Sequence, residues 1–211
     1  MIRILIADDH EVVAEGLKQL IEAQADMQVV AIAGDGREAV RQVGELEPDV
    51  VIMDLSMPEL NGADATRVIL EQNPERKVIV LSMYADHEYV RRALKSGALG
   101  YVVKRSAAKD VVEAIRAVQA GQRYISPMVA DAVNADAPAG KEDRLARLST
   151  REREVLQLLA EGRTGTEIAQ RLSLSPKTVE TYRARLVEKL GIRDVAGLVR
   201  FAIQRGIISL D

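Results

Sequence analysis

The chain has 211 residues, of which 47% are hydrophobic and 29% charged, and its net charge is −3. This composition is typical of a folded globular protein with one large or two small domains. The chain has no cysteine and two histidines, which excludes disulfides and thiolate metal sites and makes a histidine-ligated zinc site a poor candidate. No apolar stretch reaches the roughly 18 residues of a membrane span, and Asp8 and Asp9 interrupt the N-terminal apolar run too early for a secretory signal. We therefore expect a cytoplasmic protein without a membrane partner.

The first 125 residues alternate short apolar runs with helical patterns. The candidate strands, rich in Val and Ile, are 2–7, 28–33, 49–53, 77–81 and 100–103. Continuous apolar runs of this length are typical of strands buried on both faces of a parallel sheet. Between them, apolar residues recur every three or four positions, which predicts amphipathic helices. Repeated strand–helix units place helices on both faces, and ligands of such sheets bind at the carboxyl ends of the strands.

The pattern lapses over residues 126–147, where alanine, aspartate, proline and glycine predict a partly helical linker. Residues 148–211 contain helical patterns and no strand-like run, which predicts a small all-α domain. This last segment carries 11 Lys and Arg against 8 Asp and Glu, whereas residues 1–147 carry 18 against 24. The charge difference suggests nucleic acid as a partner of the second half, although a surplus of this size is also common by chance.

Five polar side chains follow the predicted strands: Asp8, Asp9, Asp54, Ser82 and Lys104. Asp54 can attack phosphorus as a nucleophile to give an acyl phosphate. Mg²⁺ would neutralise the carboxylates, with Asp9 and Asp54 as direct ligands and Asp8 bound directly or through water. Lys104 would balance the charge of the phosphoryl oxygens, and the Ser82 hydroxyl would bond to one of them. Each of these residues, taken alone, could instead cap a helix, begin a turn or lie in solvent at the end of a strand. Because all five follow strands of the same predicted sheet, a single common site is favoured.

The motifs ADD, MDLSMPELNG, LSMY and GYVVK, in this order and spacing, resemble the receiver domain of a two-component response regulator over residues 1–125. The resemblance implies an α/β flavodoxin-like fold with a five-stranded parallel sheet of order 2-1-3-4-5. It also implies that a histidine kinase phosphorylates Asp54, with Mg²⁺ held by Asp8, Asp9, Asp54 and the Ser56 backbone carbonyl. In such a switch Ser82 turns toward the phosphoryl group and Tyr101 moves inward.

Two positions depart from the receiver pattern. Glu59 stands where glycine is frequent, and Arg105 follows Lys104 where many receivers have proline, which leaves a cis peptide there in doubt. Ser56 and Tyr84, each two residues beyond a site residue, are expected to set the lifetime of the acyl phosphate.

Four helices are predicted in the second half, the last of them over about 195–205, where the residues expected to face the core or a dimer partner are Val195, Leu198, Val199 and Ala202. Ser149 or Thr150 caps the first, which ends at Gly162, and Ser175 caps the third, which begins with Pro176. The positions expected to face the core of the second and third helices are Ile168, Ala169, Leu172, Val179, Leu186 and Leu190. Two short helices joined by a tight turn, the second with a polar outer face, fit a helix-turn-helix.

The motifs LSTREREVLQLLAEG, EIAQRL and SPKTVETYRARLVEKLGI resemble the LuxR-type helix-turn-helix of the NarL/FixJ class over residues 148–211. Lys177 and Thr178 are expected to hold DNA phosphates. The remaining candidate DNA-facing residues are Glu180, Thr181, Tyr182, Ala184 and Arg185, of which Tyr182 replaces the usual histidine. A solvated helix face explains Arg185 almost as well as base reading does. Such modules bind paired half-sites, so we expect a homodimer on double-stranded DNA, and RNA polymerase is a further candidate partner.

The sequence therefore predicts a transcription regulator that is phosphorylated on Asp54 and then binds DNA as a dimer, and not a turnover enzyme. One alternative is a phosphatase or phosphotransferase with an aspartate nucleophile, although the Asp-x-Asp of haloacid-dehalogenase-like enzymes is replaced here by adjacent Asp8 and Asp9. A nucleotide-binding enzyme is weaker, since Gly34-Asp35-Gly36 lacks the rest of a dinucleotide motif. A third alternative is a regulator whose DNA binding ignores phosphorylation. Single-stranded nucleic acid is disfavoured, because 3% aromatic residues offer few stacking surfaces.

Overall fold

The computed structural model describes residues 1–130 and 144–208. The chain divides into two compact units, Met1–Asp136 and Ala137–Asp211. The middle of the predicted linker, 131–143, lies outside the described residues; its two flanks are short 3₁₀ helices, Pro127–Val129 and Arg144–Arg147. Among the described residues, no helix is both long enough and apolar enough to cross a bilayer.

The first unit is built on a parallel sheet. Its strands are β1 Ile2–Ala7, β2 Met27–Ala33, β3 Val50–Asp54, β4 Lys77–Ser82, β5 Gly100–Val103 and β6 Tyr124–Ile125, in the order β2-β1-β3-β4-β5-β6. The predicted order of the first five strands is confirmed. The prediction of a five-stranded sheet is wrong, because β6 pairs in parallel with the edge of β5. A two-residue strand is too short to produce a periodic pattern, so it has no signal in the sequence.

Five helices cover the two faces of the sheet. They are α1 Glu11–Glu22, α2 Gly36–Leu46, α3 Gly62–Gln72, α4 His87–Lys95 and α5 Ala107–Gln119. Alternate residues of β1 divide between two cores, because successive strand side chains point to opposite faces. Ile4 and Ile6 pack with α1 and α5, whereas Leu5 and Ala7 pack with α2 and α3. This burial on both faces explains the continuous apolar runs in the sequence.

The second unit contains four α-helices among its described residues. They are α6 Thr150–Ala160, α7 Gly165–Leu172, α8 Pro176–Leu190 and α9 Val195–Gln204. Ser149 caps α6 and forms a capping box with Glu152, and Gly162 follows that helix with a φ of +81°. Ser175 caps α8 by accepting a hydrogen bond from the Thr178 N–H at 3.1 Å. All six positions expected to face the core of α7 and α8 are buried.

Candidate functional site

The register of the sheet brings the two acidic motifs together. Ala7 of β1 is level with Met53 of β3, so the next residues, Asp8 and Asp54, lie side by side at the carboxyl ends of adjacent strands. Neighbouring strands are about 4.8 Å apart, which places the two carboxylates within reach of a common cation. The side chains of Asp8 and Asp54 are buried, with 0% and 3% exposed.

Lys104 bridges these two carboxylates. It follows β5, two strands away from β3, and its long side chain crosses that distance. The Nζ atom lies 2.8 Å from Asp8 Oδ2 and 2.8 Å from Asp54 Oδ2. The ammonium thus relieves repulsion that two buried carboxylates would otherwise suffer.

Burial and charge act in opposite directions on this cluster. Burial raises the pKa of Asp54 to about 6, because desolvation of the carboxylate outweighs the attraction of Lys104 and a backbone hydrogen bond from Ser56. Burial alone would lower the pKa of Lys104, but the charges and hydrogen bonds of Asp54 and Asp8 outweigh it and raise that pKa. Lys104 is therefore charged at neutral pH.

The donor set fits a hard divalent cation. Potential ligand atoms of Asp8, Asp9, His10 and Asp54 all lie within 4.8 Å of one another. Octahedral Mg²⁺ holds oxygen ligands at about 2.1 Å, so opposite ligands are about 4.2 Å apart and only a small closure is needed. Asp8 Oδ2 is buried without a well-aligned hydrogen bond, although it makes the ionic contact with Lys104. The sequence predicted the three carboxylates but not His10, whose Nδ1 lies 2.9 Å from Asp9 Oδ1.

The loop after β3 is held against the backbone of two helices. Gly62 donates its N–H to the Leu55 carbonyl at 3.0 Å, and a Cβ there would lie 1.9 Å from the Asp54 carbonyl oxygen. A Cβ on Gly36 would likewise lie 1.9 Å from the Leu60 oxygen. Glu59 has a φ of +67°, which explains why glycine suits its position. The described residues contain no cis peptide, so the bond between Lys104 and Arg105 is trans.

Ser82 and Tyr101 meet beside the acidic cluster. Tyr101 is fully buried, and its hydroxyl donates to the Tyr84 carbonyl at 2.7 Å. The Ser82 hydroxyl accepts the Tyr84 N–H at 3.2 Å. Burial raises the pKa of Tyr101 to about 12, although a hydrogen bond with Ser82 opposes that shift. Tyr101 therefore occupies the inward position, and its role as a switch stays a prediction.

Sequence reasoning missed a polar network that anchors the same loop to α4. Asn61 Oδ1 accepts hydrogen bonds from the Asp64 N–H at 3.1 Å and from Arg92 at 2.7 Å. Asn61 also donates its amide to Asp64 Oδ2 at 2.8 Å. The N-cap role of Asn61, directly before the glycine that opens α3, was readable from the sequence. The contact with Arg92, 31 positions away, was not.

The predicted DNA-facing residues lie on α8. Lys177, Glu180, Thr181, Ala184 and Arg185 are exposed, and Thr178 and Tyr182 are half-buried. The Arg185 guanidinium lies 5.8 Å from the centre of the Tyr182 ring, as in a cation–π contact. Glu180 pairs with Arg183 at 3.0 Å, and the Thr181 hydroxyl donates to the Lys177 carbonyl at 3.0 Å. Arg185 is thus presented on an exposed face, whereas Thr181 is already bonded to its own helix.

Two family profiles match the chain. Residues 4–116 match the family described as "Response regulator receiver domain", and residues 146–202 match "Bacterial regulatory proteins, luxR family". The chain is a response regulator. It combines a receiver domain with a LuxR-type helix-turn-helix, the arrangement of the NarL/FixJ class.

Curated relatives match this response regulator over nearly its whole length. The response regulator GacA of Pseudomonas viridiflava is 38% identical over 211 residues, which cover 99% of each chain. The oxygen regulatory protein NreC of Staphylococcus epidermidis is 39% identical over 216 residues, covering 98% of this chain and 99% of NreC.

Solved structures agree with the fold. The RcsB response regulator of Salmonella typhimurium is 30% identical with a TM-score of 0.60, over 95% of this response regulator and 97% of the RcsB chain. An RcsB–DNA complex has a TM-score of 0.59 at 30% identity, over 95% and 96% of the two chains. A LuxR-family response regulator from Aurantimonas sp. SI85-9A1 is 39% identical with a TM-score of 0.61, over 63% of this chain and 94% of that one.

Proposed function

We propose that this response regulator accepts a phosphoryl group on Asp54 from a histidine kinase and then controls transcription by binding double-stranded DNA as a homodimer. The observation that carries the first step is the buried trio of Asp8, Asp54 and Lys104, held by the strand register with both Nζ–carboxylate distances at 2.8 Å. Asp54 is the carboxylate at the end of the central strand, and it shares the Lys104 amine with Asp8.

Asp54 acts as the nucleophile. Its carboxylate oxygen forms a bond with phosphorus, and the bond between phosphorus and the donor breaks, with the electron pair leaving on the donor. Asp8, Asp9 and Asp54, with the Ser56 carbonyl, would hold Mg²⁺, which neutralises the negative charge that repels an anionic nucleophile from a phosphoryl group. Lys104 then follows the new anionic oxygens, and the Ser82 hydroxyl can donate to one of them.

DNA binding, the second step of the proposed function, depends on α8. Lys177 and Thr178 stand at its N-terminal end, where the backbone N–H groups and the helix dipole favour a DNA phosphate. Glu180, Thr181, Tyr182, Ala184 and Arg185 follow along the helix toward the base edges. An RcsB neighbour of the same fold has been solved in complex with DNA, which supports this role. We further propose a cytoplasmic location and, at the promoter, contact with RNA polymerase.

We also propose that the chain is not a turnover enzyme: it accepts a single phosphoryl group and loses it by slow self-hydrolysis. The competing assignment is an aspartate-dependent phosphatase. Release of phosphate from phosphomonoesters over many turnovers, dependent on Asp54, would support the phosphatase instead.

The phosphoacceptor assignment is tested by labelling with acetyl phosphate and Mg²⁺, followed by peptide mass mapping. We expect one phosphoryl group on the peptide that contains Asp54, and none in Asp54→Asn. Asp26→Asn is a matched control, because that carboxylate lies on the surface in an ion pair with Arg116. Labelling of Asp54→Asn at the wild-type yield would refute the assignment.

A further inference from the structure

The segment after α5 is bound to the receiver more firmly than a linker would be. Tyr124 and Ile125 pair with Gly100 and Tyr101 of β5, and the Ser126 N–H donates to the Tyr101 carbonyl at 2.9 Å. Ser126 is fully buried. We refer to residues 124–130, from β6 to the end of the following turn, as the strap. Because the strap leads out of the receiver, its attachment governs where the linker starts.

A cluster of two hydroxyls and one carboxylate fastens the strap. Ser126 donates its hydroxyl to Asp110 Oδ2 at 2.5 Å and accepts the Val103 N–H at 3.3 Å. Ser106 lies 2.7 Å from the same Asp110 oxygen and 3.1 Å from the Val103 carbonyl. Hydrogen bonds to a carboxylate are about twice as strong as bonds between neutral groups, so Asp110 is the centre of this cluster.

The same cluster holds the turn that carries Lys104. Lys104 and Ser106 belong to one 3₁₀ turn of three residues, Lys104–Ser106, between β5 and α5. A turn of three residues has few rotatable bonds between its ends, so a shift of the Lys104 backbone moves Ser106 as well. Asp110 stands on the first turn of α5 and is fixed by that helix.

Apolar packing joins the strap to the buried tyrosine. Val129, 1% exposed, packs in one cluster with Tyr101, Val103 and Val90. The strap therefore bonds to the backbone carbonyl of Tyr101 and shares an apolar cluster with its side chain. A change at Tyr101 reaches the strap through these contacts, and a change at Lys104 reaches it through Ser106 of the same turn.

We propose that Asp110, with Ser106 and Ser126, is a joint that transmits the position of Lys104 to the strap, so that a phosphoryl group on Asp54 loosens the strap and frees the start of the linker. The proposal rests on the proposed phosphorylation of Asp54. The phosphoryl group extends beyond the carboxylate, and the Lys104 ammonium follows it away from Asp8 because the new group carries more negative charge. The turn then draws Ser106 away from Asp110 and from the Ser126 hydroxyl, which lies 3.3 Å away, so the cluster that fastens the strap loses the contacts that Ser106 supplies. Asp110 and Ser126 are thus positioning residues and have no contact with the phosphoryl group.

The test is hydrogen exchange of the full chain, with and without acetyl phosphate and Mg²⁺, with Asp54 labelling measured in the same samples. In the wild type we expect the strap amides to exchange about tenfold faster after labelling, which corresponds to the loss of about one charged hydrogen bond. In Ser126→Ala and Asp110→Asn, the strap should exchange fast in both states, with no further increase on labelling. Asp26→Asn should behave as the wild type.

The outcomes separate the joint from a merely structural role. If both variants exchange faster but keep the phosphorylation-dependent increase, the cluster only adds stability and the proposal fails. The measurement on the wild type does not depend on whether either variant folds. If strap exchange is unchanged at full Asp54 labelling, the proposal is overturned and the proposed function stays intact. Absence of labelling in the wild type overturns both.

Discussion

Replacement of Gly62 by alanine should damage the phosphoacceptor loop. The new Cβ would lie 1.9 Å from the Asp54 carbonyl oxygen and 2.8 Å from its carbon, whereas real Cβ contacts stay above 3.0 Å. The backbone must therefore move by at least about 1.1 Å at the phosphoacceptor itself. Forcing an extra methyl into a packed site costs about 1–3 kcal/mol, which exceeds the gain of about 0.5–1 kcal/mol from replacing a helical glycine.

Gly44→Ala is the matched control. Gly44 lies inside α2, and a Cβ there meets nothing within 4 Å. This substitution should stabilise the receiver by about 0.5–1 kcal/mol through helix propensity alone. The two variants are thus expected to differ in sign, although each adds one methyl group to a helix.

The assay is urea unfolding followed by tyrosine fluorescence, because four of the five tyrosines lie in the receiver. Labelling by acetyl phosphate is measured in parallel and should fall in Gly62→Ala but not in Gly44→Ala. Wild-type stability and labelling in Gly62→Ala would refute the reasoning, since the loop would then tolerate a shift that the structure says it cannot absorb.

Four further variants test other parts of the structure. Lys104→Met should destabilise the metal-free receiver by about 3 kcal/mol, because two buried carboxylates lose their shared cation, and millimolar Mg²⁺ should restore part of the urea midpoint. Glu152→Gln should lower the free energy of unfolding by about 1–3 kcal/mol at pH 7. Burial opposes the shift, but the hydrogen bond from Lys189 lowers the pKa of Glu152, so the ionised side chain stabilises the fold above its ordinary pKa of 4.5. This stabilisation is lost as the pH falls below that value. Thermal unfolding of both proteins from pH 3 to pH 7 should therefore show their difference shrinking in acid. Lys177→Ala should weaken binding to all DNA sequences and reduce the slope of log affinity against log salt concentration by about 1. Arg185→Ala should instead reduce the difference in binding free energy between matched and mismatched DNA fragments by about 1–3 kcal/mol, as measured by titration of both fragments.

The sequence predicted the fold correctly where the same requirement, such as burial on both faces of the sheet, applies to several segments of the chain. Burial on both faces produced the apolar runs of β1, β3 and β4, and the polar residues that end these runs, such as Asp54 and Ser82, marked the site edge. Caps such as Ser149 and Ser175 were visible because they satisfy local backbone donors.

Features that depend on long-range contacts left no local pattern. Asp110 and Ser126 are 16 positions apart, and only the pairing of β6 with β5 brings them together. The two-residue β6 carries no periodicity, which is why the sequence predicted five strands. Gly62 was recognisable as part of a motif, but the collision that excludes a side chain there depends on the fold of the loop after β3.

The central claim is that phosphorylation of Asp54 controls DNA binding. The most direct measurement is the affinity of the full chain for a genomic fragment identified by footprinting, with and without acetyl phosphate and Mg²⁺. We predict that the wild type binds about 5–150-fold more tightly after labelling, the usual range of allosteric coupling, and that Asp54→Asn shows no response. Equal affinity of the labelled and unlabelled wild type, or an equal response in Asp54→Asn, would contradict the claim.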